Sequence, residues 1–258
     1  MKLDLTKRKE IAVKAAEQAG KILVDNFGRT IKIKDKGDWS LVSEVDIAAE
    51  EKIIDLIKKA CPQDNILSEE GQGEISIDSD FKWVIDPLDG THNYIKGVTV
   101  FGVSIALEFK NEVVLGVIYM PLANELYTAE KGKGAYLNNK KISVSERDLS
   151  RATLSYDSSI RYNKKPMIDC LERVSDKVFN IRMFGSSVRS LSYVAEGKID
   201  LAIEFNDKPW DFAAGLILVE EAGGRATDLR GNKWSLASAG YVASNGIVHE
   251  DTLTIINA

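Results

Sequence analysis

The chain has 258 residues, 44% of them hydrophobic, and its 34 Lys and Arg against 39 Asp and Glu give a net charge of −5. This composition suits a large core and leaves no basic footprint for nucleic acid. The two cysteines and two histidines lack zinc-site spacing, so any metal needs mainly oxygen ligands. The opening MKLDLTKRKE lacks the apolar run of a signal peptide, and no run of about 18 apolar residues follows, so we expect a cytoplasmic protein without a membrane segment.

The first half of the chain predicts two helices followed by several strands. Apolar residues recur at helical spacing over Leu5–Phe27 and Val45–Ala60, and the charged segment Ile31–Ser40 between them predicts a loop or a short strand. The polar pair Lys110-Asn111 predicts a hairpin turn. The expected strands are Phe81–Asp86, Val98–Phe109, Val113–Tyr119, Leu126–Ala129 and Ala135–Val144.

Strands and helices alternate after about Ser150. The change predicts an α+β half over residues 1–150 and an α/β half over residues 151–258. No Pro/Gly/Ser-rich linker separates them, so we expect one structural unit over 1–258. The expected elements of the second half are strands Ala152–Tyr156, Ile181–Phe184 and Asp200–Phe205, and helices Pro166–Val178, Ser186–Glu196 and Trp210–Ala222.

The segment with the clearest chemistry is W-V-I-D-P-L-D-G-T-H-N-Y, at residues 83–94. An apolar strand leads into two aspartates, and Pro87, which has no N–H, predicts that the chain leaves the sheet there. The turn can direct Asp86, the Leu88 carbonyl and Asp89 toward one point. Such an oxygen cluster suits Mg²⁺, although a bare D-x-x-D-G is also typical of a solvated turn.

Other residues extend this interpretation. Gly90 and Thr91 can open a helix whose free N–H groups bind phosphate. Glu69 and Glu70 lie in L-S-E-E-G, and Asp211 begins an apolar helix in P-W-D-F-A-A-G. Taken alone, the glutamate pair is typical of surface charge, and Asp211 of a helix N-terminus stabilised by the dipole.

Together the three motifs closely resemble those of the inositol monophosphatase family, D-P-[IL]-D-G-T-x-N-[FY] with an upstream E-E pair and a downstream W-D-x-A-A-G. Their order, spacing and flanks match, and the resemblance covers nearly the whole chain. It implies a five-layered αβαβα sandwich of the sugar-phosphatase type. It also implies two or three Mg²⁺ ions per active site, sensitivity to lithium, and a homodimer. From the charge and the lack of an apolar run we expect no nucleic-acid or membrane partner.

The resemblance further implies a role for individual residues. The implied metal ligands are Glu69, Asp86, the Leu88 carbonyl, Asp89 and Asp211. The implied catalytic residues are Glu69, Thr91 and Asp46, with Asp46 orienting Thr91 and Thr91 positioning the attacking water. Phosphate would be bound by the backbone amides of Gly90 and Thr91, and substrate hydroxyls by Asp89, Gly185, Ser186, Ser187, Glu204 and Asp211.

Two residues have more than one interpretation. His92, beside Thr91, could act as a general acid, but a structural position at the rim is favoured because metal-bound water can donate the proton. Glu204 either binds a substrate hydroxyl or is an ordinary charge at a strand end. Ser43 replaces the family's usual threonine, which concerns loop geometry and a third metal.

The function implied is Mg²⁺-dependent hydrolysis of a small phosphorylated polyol or sugar, most directly myo-inositol monophosphate, by metal-activated water. One alternative is a fructose-1,6-bisphosphatase, possibly with dual activity. Another is a phosphatase acting on adenosine 3′,5′-bisphosphate or NADP. A remote alternative is a non-catalytic member with a regulatory or RNA-associated role.

Overall fold

Helices cover and separate two large β-sheets in a computed structural model of the protein, which describes residues 5–35, 37, 41–71 and 79–258. The helical periodicity of the sequence is confirmed in both halves, with ends that shift by a few residues. None of the helices in these ranges is long and apolar enough to cross a membrane. The helices are α1 Thr6–Asn26, α2 Glu44–Ala60, α3 Thr91–Ile95, α4 Lys164–Ser175, α5 Ser187–Ala195, α6 Pro209–Glu221 and α7 His249–Ile256.

The first half forms a short ribbon and the larger sheet. Strands β1 Ile33–Asp35 and β2 Leu41–Ser43 pair antiparallel. The seven-stranded sheet follows chain order, and every neighbouring pair is antiparallel except its first two strands. Its strands are β3 Asn65–Ser68, β4 Phe81–Asp89, β5 Gly102–Phe109, β6 Glu112–Met120, β7 Glu125–Glu130, β8 Gly134–Leu137 and β9 Lys140–Lys141.

The second half forms a five-stranded mixed sheet. Its order is β11-β10-β12-β14-β13, with β10 parallel to both β11 and β12, as expected where helices connect successive strands. Strand β14 is antiparallel to β12 and β13. These strands are β10 Thr153–Tyr156, β11 Asn180–Arg182, β12 Leu201–Glu204, β13 Arg225–Asp228 and β14 Tyr241–Ser244.

The layers stack in the order αβαβα, which confirms the predicted sandwich. Helices α1 and α2 pack on the outer face of the larger sheet, and α5 and α6 fill the space between the two sheets. Helices α4 and α7 cover the outer face of the smaller sheet. Three apolar cores result, and the central core contains buried residues from both halves of the chain.

The central layer requires a close approach between α6 and strand β6. A Cβ atom at Gly116 would lie 2.5 Å from the Ala214 carbonyl oxygen and 2.7 Å from the Ile217 side chain. Gly116 therefore lets the helix pack directly on the sheet. This contact fixes where the start of α6, and with it Asp211, lies relative to the larger sheet.

The expectation that the chain leaves the sheet at Pro87 was wrong. Strand β4 continues to Asp89: Asp86 pairs with Ser104 and Asp89 with Gly102, with a register shift between them. A β-bulge accommodates the missing N–H of Pro87, so pairing resumes instead of ending.

Three other strand boundaries differ from the prediction. The strand expected from Val98 begins only at Gly102, after the turn that follows α3. The strand expected over Ala135–Val144 is interrupted at Asn138 and Asn139, whose φ angles of 46° and 63° are left-handed. The strand expected to reach Phe184 ends at Arg182.

The remaining predictions for the first half hold where they can be compared. The hairpin turn at Lys110 and Asn111 is confirmed, because both residues have the positive φ angles, 51° and 62°, of a tight turn between β5 and β6. Within Ile31–Ser40, a short strand forms at Ile33–Asp35, while residues 36 and 38–40 lie outside the described residues.

Candidate active site

Three aspartates from distant parts of the chain meet at the C-terminal end of strand β4 in the larger sheet. One carboxylate oxygen from each of Asp86, Asp89 and Asp211 lies within 4.8 Å of the others. The bulge in β4 carries the first two, and Asp86 Oδ1 accepts a hydrogen bond of 2.8 Å from the Leu88 N–H. Asp211 lies in the first turn of α6, where its Oδ2 accepts from the Lys208 N–H at 2.7 Å.

The electrostatics of this cluster are unfavourable to three bare carboxylates. Burial, followed by the charges of Glu69, Asp89 and Asp211, raises the pKa of Asp86 well above its ordinary value. Burial raises the pKa of Asp89 to about 6. Burial and the neighbouring acids also raise the pKa of Asp211 well above its usual range.

The donor set fits a hard divalent cation. Among the described residues, no Lys or Arg forms an ion pair with Asp86, Asp89 or Asp211, so no protein cation offsets their repulsion. Carboxylate and carbonyl oxygens are the ligands that Mg²⁺ prefers. A bound divalent cation would therefore relieve the repulsion that burial creates.

Glu69 lies near the three aspartates but outside their group. It follows β3, its N–H donates to the Ile85 carbonyl at 3.2 Å, and its charge raises the pKa of Asp86, Asp89 and Asp211. The next N–H, of Glu70, donates to Glu50 in α2 at 2.9 Å. The pairing of β3 with β4 thus carries the acidic pair to the aspartates.

Thr91 connects the cluster to a second buried acid. Its hydroxyl lies 3.1 Å from Asp46 Oδ1 and 2.9 Å from the Leu88 carbonyl oxygen. Asp46 is fully buried and also accepts from the Ser43 N–H at 2.9 Å, in the capping box that begins α2. The geometry therefore brings together Asp46, Thr91 and Leu88; the resemblance implied the Asp46–Thr91 pair but not the contact with Leu88.

Gly90 occupies the turn between β4 and α3. Its φ angle is 83°, and a Cβ there would lie 2.8 Å from the Val100 carbonyl oxygen. Both features require glycine at this position. The turn places Gly90 and Thr91 in the wall of a cavity of about 760 Å³, together with Glu69, Asp89 and Asp211. Asp86 is buried next to this wall.

The opposite side of the cavity comes from the second half of the chain. Gly185, Ser186, Ser187 and Glu204, predicted to contact substrate hydroxyls, all line it. His92 lines it too and is exposed, consistent with a position at the rim.

Asp89 is held by the start of α5, which the sequence did not indicate. The Ser186 hydroxyl donates to Asp89 Oδ1, and the Ser187 and Val188 N–H groups donate to Oδ2 at 3.0 and 3.3 Å. Both serines were predicted to bind substrate, yet here they bind the carboxylate of a predicted metal ligand. The N-terminus of a helix is a favourable place for that charge.

Asn93 joins the two sides of the cavity. Its amide nitrogen lies 2.9 Å from the Val100 carbonyl oxygen, 2.8 Å from that of Phe184 and 3.2 Å from that of Gly185. The asparagine of the first-half motif therefore fixes the second-half loop that precedes α5.

Sequence reasoning missed two further acids in this cavity, Asp157 and Asp207. Asp157 binds backbone, since Oδ1 accepts from the Ser159 N–H at 2.6 Å and Oδ2 from the Phe205 N–H at 3.0 Å. Burial raises the pKa of Asp207 to about 7, against the pull of the nearby Ser187 and Tyr241 hydroxyls. Only their positions in the sequence could have indicated these two acids: Asp207 lies between Glu204 and Asp211, and Asp157 follows a strand.

Comparison with known proteins agrees with this geometry. Residues 4–258 match the inositol monophosphatase family model. A Thermotoga maritima protein named fructose-1,6-bisphosphatase/inositol-1-monophosphatase is 36% identical over 252 residues, which are 97% of this chain and 96% of that protein. The Escherichia coli Nus factor SuhB is 40% identical over 242 residues, 91% of this chain and 90% of the relative.

Solved structures share the fold over nearly the whole chain. The extragenic suppressor protein suhB of Bartonella henselae superposes with a TM-score of 0.92 at 36% identity, covering 96% of this chain and 97% of that one. Thermotoga maritima IMPase gives a TM-score of 0.88 at 34% identity, with coverage of 97% and 96%. These similarities support phosphatase chemistry without selecting a substrate. The protein described here belongs to the inositol monophosphatase family.

Proposed function

We propose that the protein is a Mg²⁺-dependent phosphatase that hydrolyses myo-inositol monophosphate. The observation that carries the proposal is the convergence of Asp86, Asp89 and Asp211 beside the Thr91–Asp46 pair, next to a cavity large enough for a small phosphorylated polyol. Uncatalysed hydrolysis of a phosphate monoester is among the slowest reactions known, so the reaction needs a catalyst. Buried acids that hold cations can supply that catalysis.

Each side chain has a distinct task in this proposal. Mg²⁺, held by Glu69, the three aspartates and the Leu88 carbonyl, would activate a water and stabilise the leaving alkoxide.

The groups around the metal site orient the reactants. The Thr91 hydroxyl, positioned by Asp46, orients the attacking water, while the amides of Gly90 and Thr91 face the phosphate oxygens. Glu204 accepts a hydrogen bond from a ring hydroxyl. Asn93 keeps the loop before α5 in place over the substrate.

Fructose 1,6-bisphosphate is a second candidate substrate, because a 36% identical relative carries both activities in its name. A regulatory role is kept as the remote alternative, because other relatives are named Nus factor SuhB. Adenosine 3′,5′-bisphosphate and NADP complete the set.

Phosphate release from a substrate panel tests the proposal. Purified protein is assayed with inositol 1-phosphate, fructose 1,6-bisphosphate, NADP and adenosine 3′,5′-bisphosphate, each with Mg²⁺ and with EDTA. We expect the highest kcat/KM for inositol 1-phosphate and no activity in EDTA. Asp89→Asn removes a ligand charge and should abolish turnover with the fold intact by circular dichroism. If the wild-type protein releases no phosphate from any compound of the panel, the regulatory role is favoured.

Two further properties belong to the same proposal. Li⁺, a small cation that binds oxygen ligands, should inhibit at millimolar concentration, and unchanged activity there would contradict a lithium-sensitive site. The chain should form a homodimer, which sedimentation of the pure protein would measure.

A further inference from the structure

The least satisfied buried polar atoms near the cavity belong to Asp207 and Tyr241. Asp207 lines the cavity, yet its enclosed Oδ2 makes no hydrogen bond of normal geometry, although the Ser187 and Tyr241 hydroxyls lie close enough to lower its pKa. The Tyr241 side chain is fully buried, and its hydroxyl also lacks a hydrogen-bond partner among the described residues. Buried polar groups are normally paired, so two orphans side by side indicate a role other than stability.

Sheet pairing places these two groups beside a predicted substrate contact. Tyr241 in β14 lies directly opposite Glu204 in β12, so their side chains project from the same face of the smaller sheet. Asp207 follows in the loop after β12, and its charge and that of Glu204 both act on the Tyr241 hydroxyl. Tyr241 therefore lies behind a pair of carboxylates that border the cavity.

This part of the cavity wall is acidic. Glu204 and Asp207 line it together with Asp157, whose charge acts on both of them. Adjacent carboxylates accept hydrogen bonds from hydroxyl groups, whereas they repel a phosphate dianion placed against them. Arg161 also lines the cavity, on the segment after β10 that carries Asp157, so the wall is acidic at the β12–α6 loop and not throughout.

We infer that Asp207, supported from behind by Tyr241, is a specificity-determining residue. It accepts a hydrogen bond from a ring hydroxyl of a polyol monophosphate and selects against substrates that place a second phosphate beside Glu204. The inference rests on the proposed function and refines it, because it assigns the choice between inositol monophosphate and fructose 1,6-bisphosphate to one residue.

Steady-state kinetics at pH 8 on Asp207→Asn and Asp207→Ala test the inference, with both substrates and saturating Mg²⁺. Asparagine keeps a carbonyl acceptor but removes the charge, so kcat/KM for the bisphosphate should rise about tenfold while that for inositol 1-phosphate changes less than about threefold. Alanine removes the acceptor as well, so KM for inositol 1-phosphate should rise about tenfold with kcat little changed. Tyr241→Phe should shift the ratio of the two kcat/KM values in the same direction as Asp207→Asn, but less.

The matched control is Glu51→Gln, which removes one negative charge from an exposed position on α2. It should leave the ratio of the two kcat/KM values unchanged. An Asp207→Asn ratio within twofold of this control would overturn the inference while leaving the phosphatase intact. If the wild-type protein releases phosphate from neither compound, the proposed function fails, and calorimetric Kd values for the same two compounds then decide the inference by the same ratio.

Discussion

Asp86 shows most clearly the charge repulsion that a bound cation would relieve. It is buried beside three other acids, and its pKa is raised first by that burial and then by their charges. A carboxyl group whose pKa is higher in the folded than in the unfolded protein stabilises the fold at low pH. That contribution is lost as the pH rises through the folded pKa. We therefore expect the residues of the candidate site to destabilise the metal-free protein at neutral pH.

We expect Asp86→Asn to be more thermostable than the wild-type protein in EDTA at pH 7.5. Asparagine keeps the Oδ1 acceptor for the Leu88 N–H but carries no charge, so the repulsion disappears. The difference should vanish near pH 4, where the wild-type carboxyl groups are protonated. Differential scanning calorimetry of both proteins at the two pH values measures this, and a less stable variant at pH 7.5 would contradict it.

The Thr91 hydroxyl contacts both Asp46 and the Leu88 carbonyl, and in the proposed function it orients the attacking water. Thr91→Val keeps the shape of the side chain and removes the hydroxyl, so kcat should fall about 10²-fold or more with KM nearly unchanged. Thr91→Ser is the matched control and should retain most of the activity. Activity retained in Thr91→Val and lost in Thr91→Ser would show that the methyl group, and not the hydroxyl, matters.

The elements position these residues more than any local motif does. The bulge in β4 separates Asp86 and Asp89 by a register shift, and the start of α5 then holds Asp89 through backbone N–H groups. Helix α6 brings Asp211 to the same place because it packs closely on β6 at Gly116. Three elements must therefore be correctly packed before the cluster exists.

Gly116→Ala should destabilise the protein by about 1–3 kcal/mol, because the added methyl group meets the α6 backbone at Ala214. The resulting shift of α6 should also lower Mg²⁺ affinity, since Asp211 moves with the helix. Glu112→Gln, at the start of the same strand and in surface ion pairs only, is the control and should change stability by less than about 1 kcal/mol. Urea unfolding and Mg²⁺ titration by calorimetry give both quantities. Unchanged Mg²⁺ affinity would show that the packing of α6 at Gly116 does not control the position of Asp211 in the site.

The candidate cavity is lined by residues from both halves of the chain. Walls come from the motif after β4 on one side and from the loops before α5 and α6 on the other, while three separate apolar cores support them. The three cores hold the walls in fixed positions, so the acids cannot move apart to relieve their repulsion. Cation binding should therefore appear as a change in global stability.

Mg²⁺ should raise the Tm more at pH 7.5 than at pH 5. The pKa of Asp89 lies near 6 in the metal-free fold, above its ordinary 3.8, so at pH 5 a cation must displace a proton there, while at pH 7.5 the carboxylate is already ionised. At each pH the Tm is measured with and without Mg²⁺. The difference between the two removes the effect of surface carboxyl groups whose pKa is lowered, such as Glu112. A Tm shift independent of pH would argue against carboxylate ligands of this kind.

Local patterns predicted a large part of this protein. Apolar periodicity placed the long helices, and the motif around Asp86 and Asp89 predicted an oxygen-rich cluster next to a phosphate-binding turn. The prediction failed where the outcome depended on neighbours. Pro87 was expected to end a strand, but pairing with Gly102 resumes beyond it, and Asp207 went unnoticed because it belongs to no motif, although it lies between Glu204 and Asp211.

The sequence by itself determined the element types and the chemistry of the candidate ligands, because helical periodicity, turn residues and carboxylates act over a few neighbouring positions. Family resemblance implied that Asp211 joins the first two aspartates, and the structure brings the three together. Only the tertiary structure decided that Ser186 and Ser187 bind Asp89, and that Tyr241 lies behind Asp207. These contacts join segments remote in sequence. They depend on how helices and sheets pack in layers, and no local propensity encodes that packing.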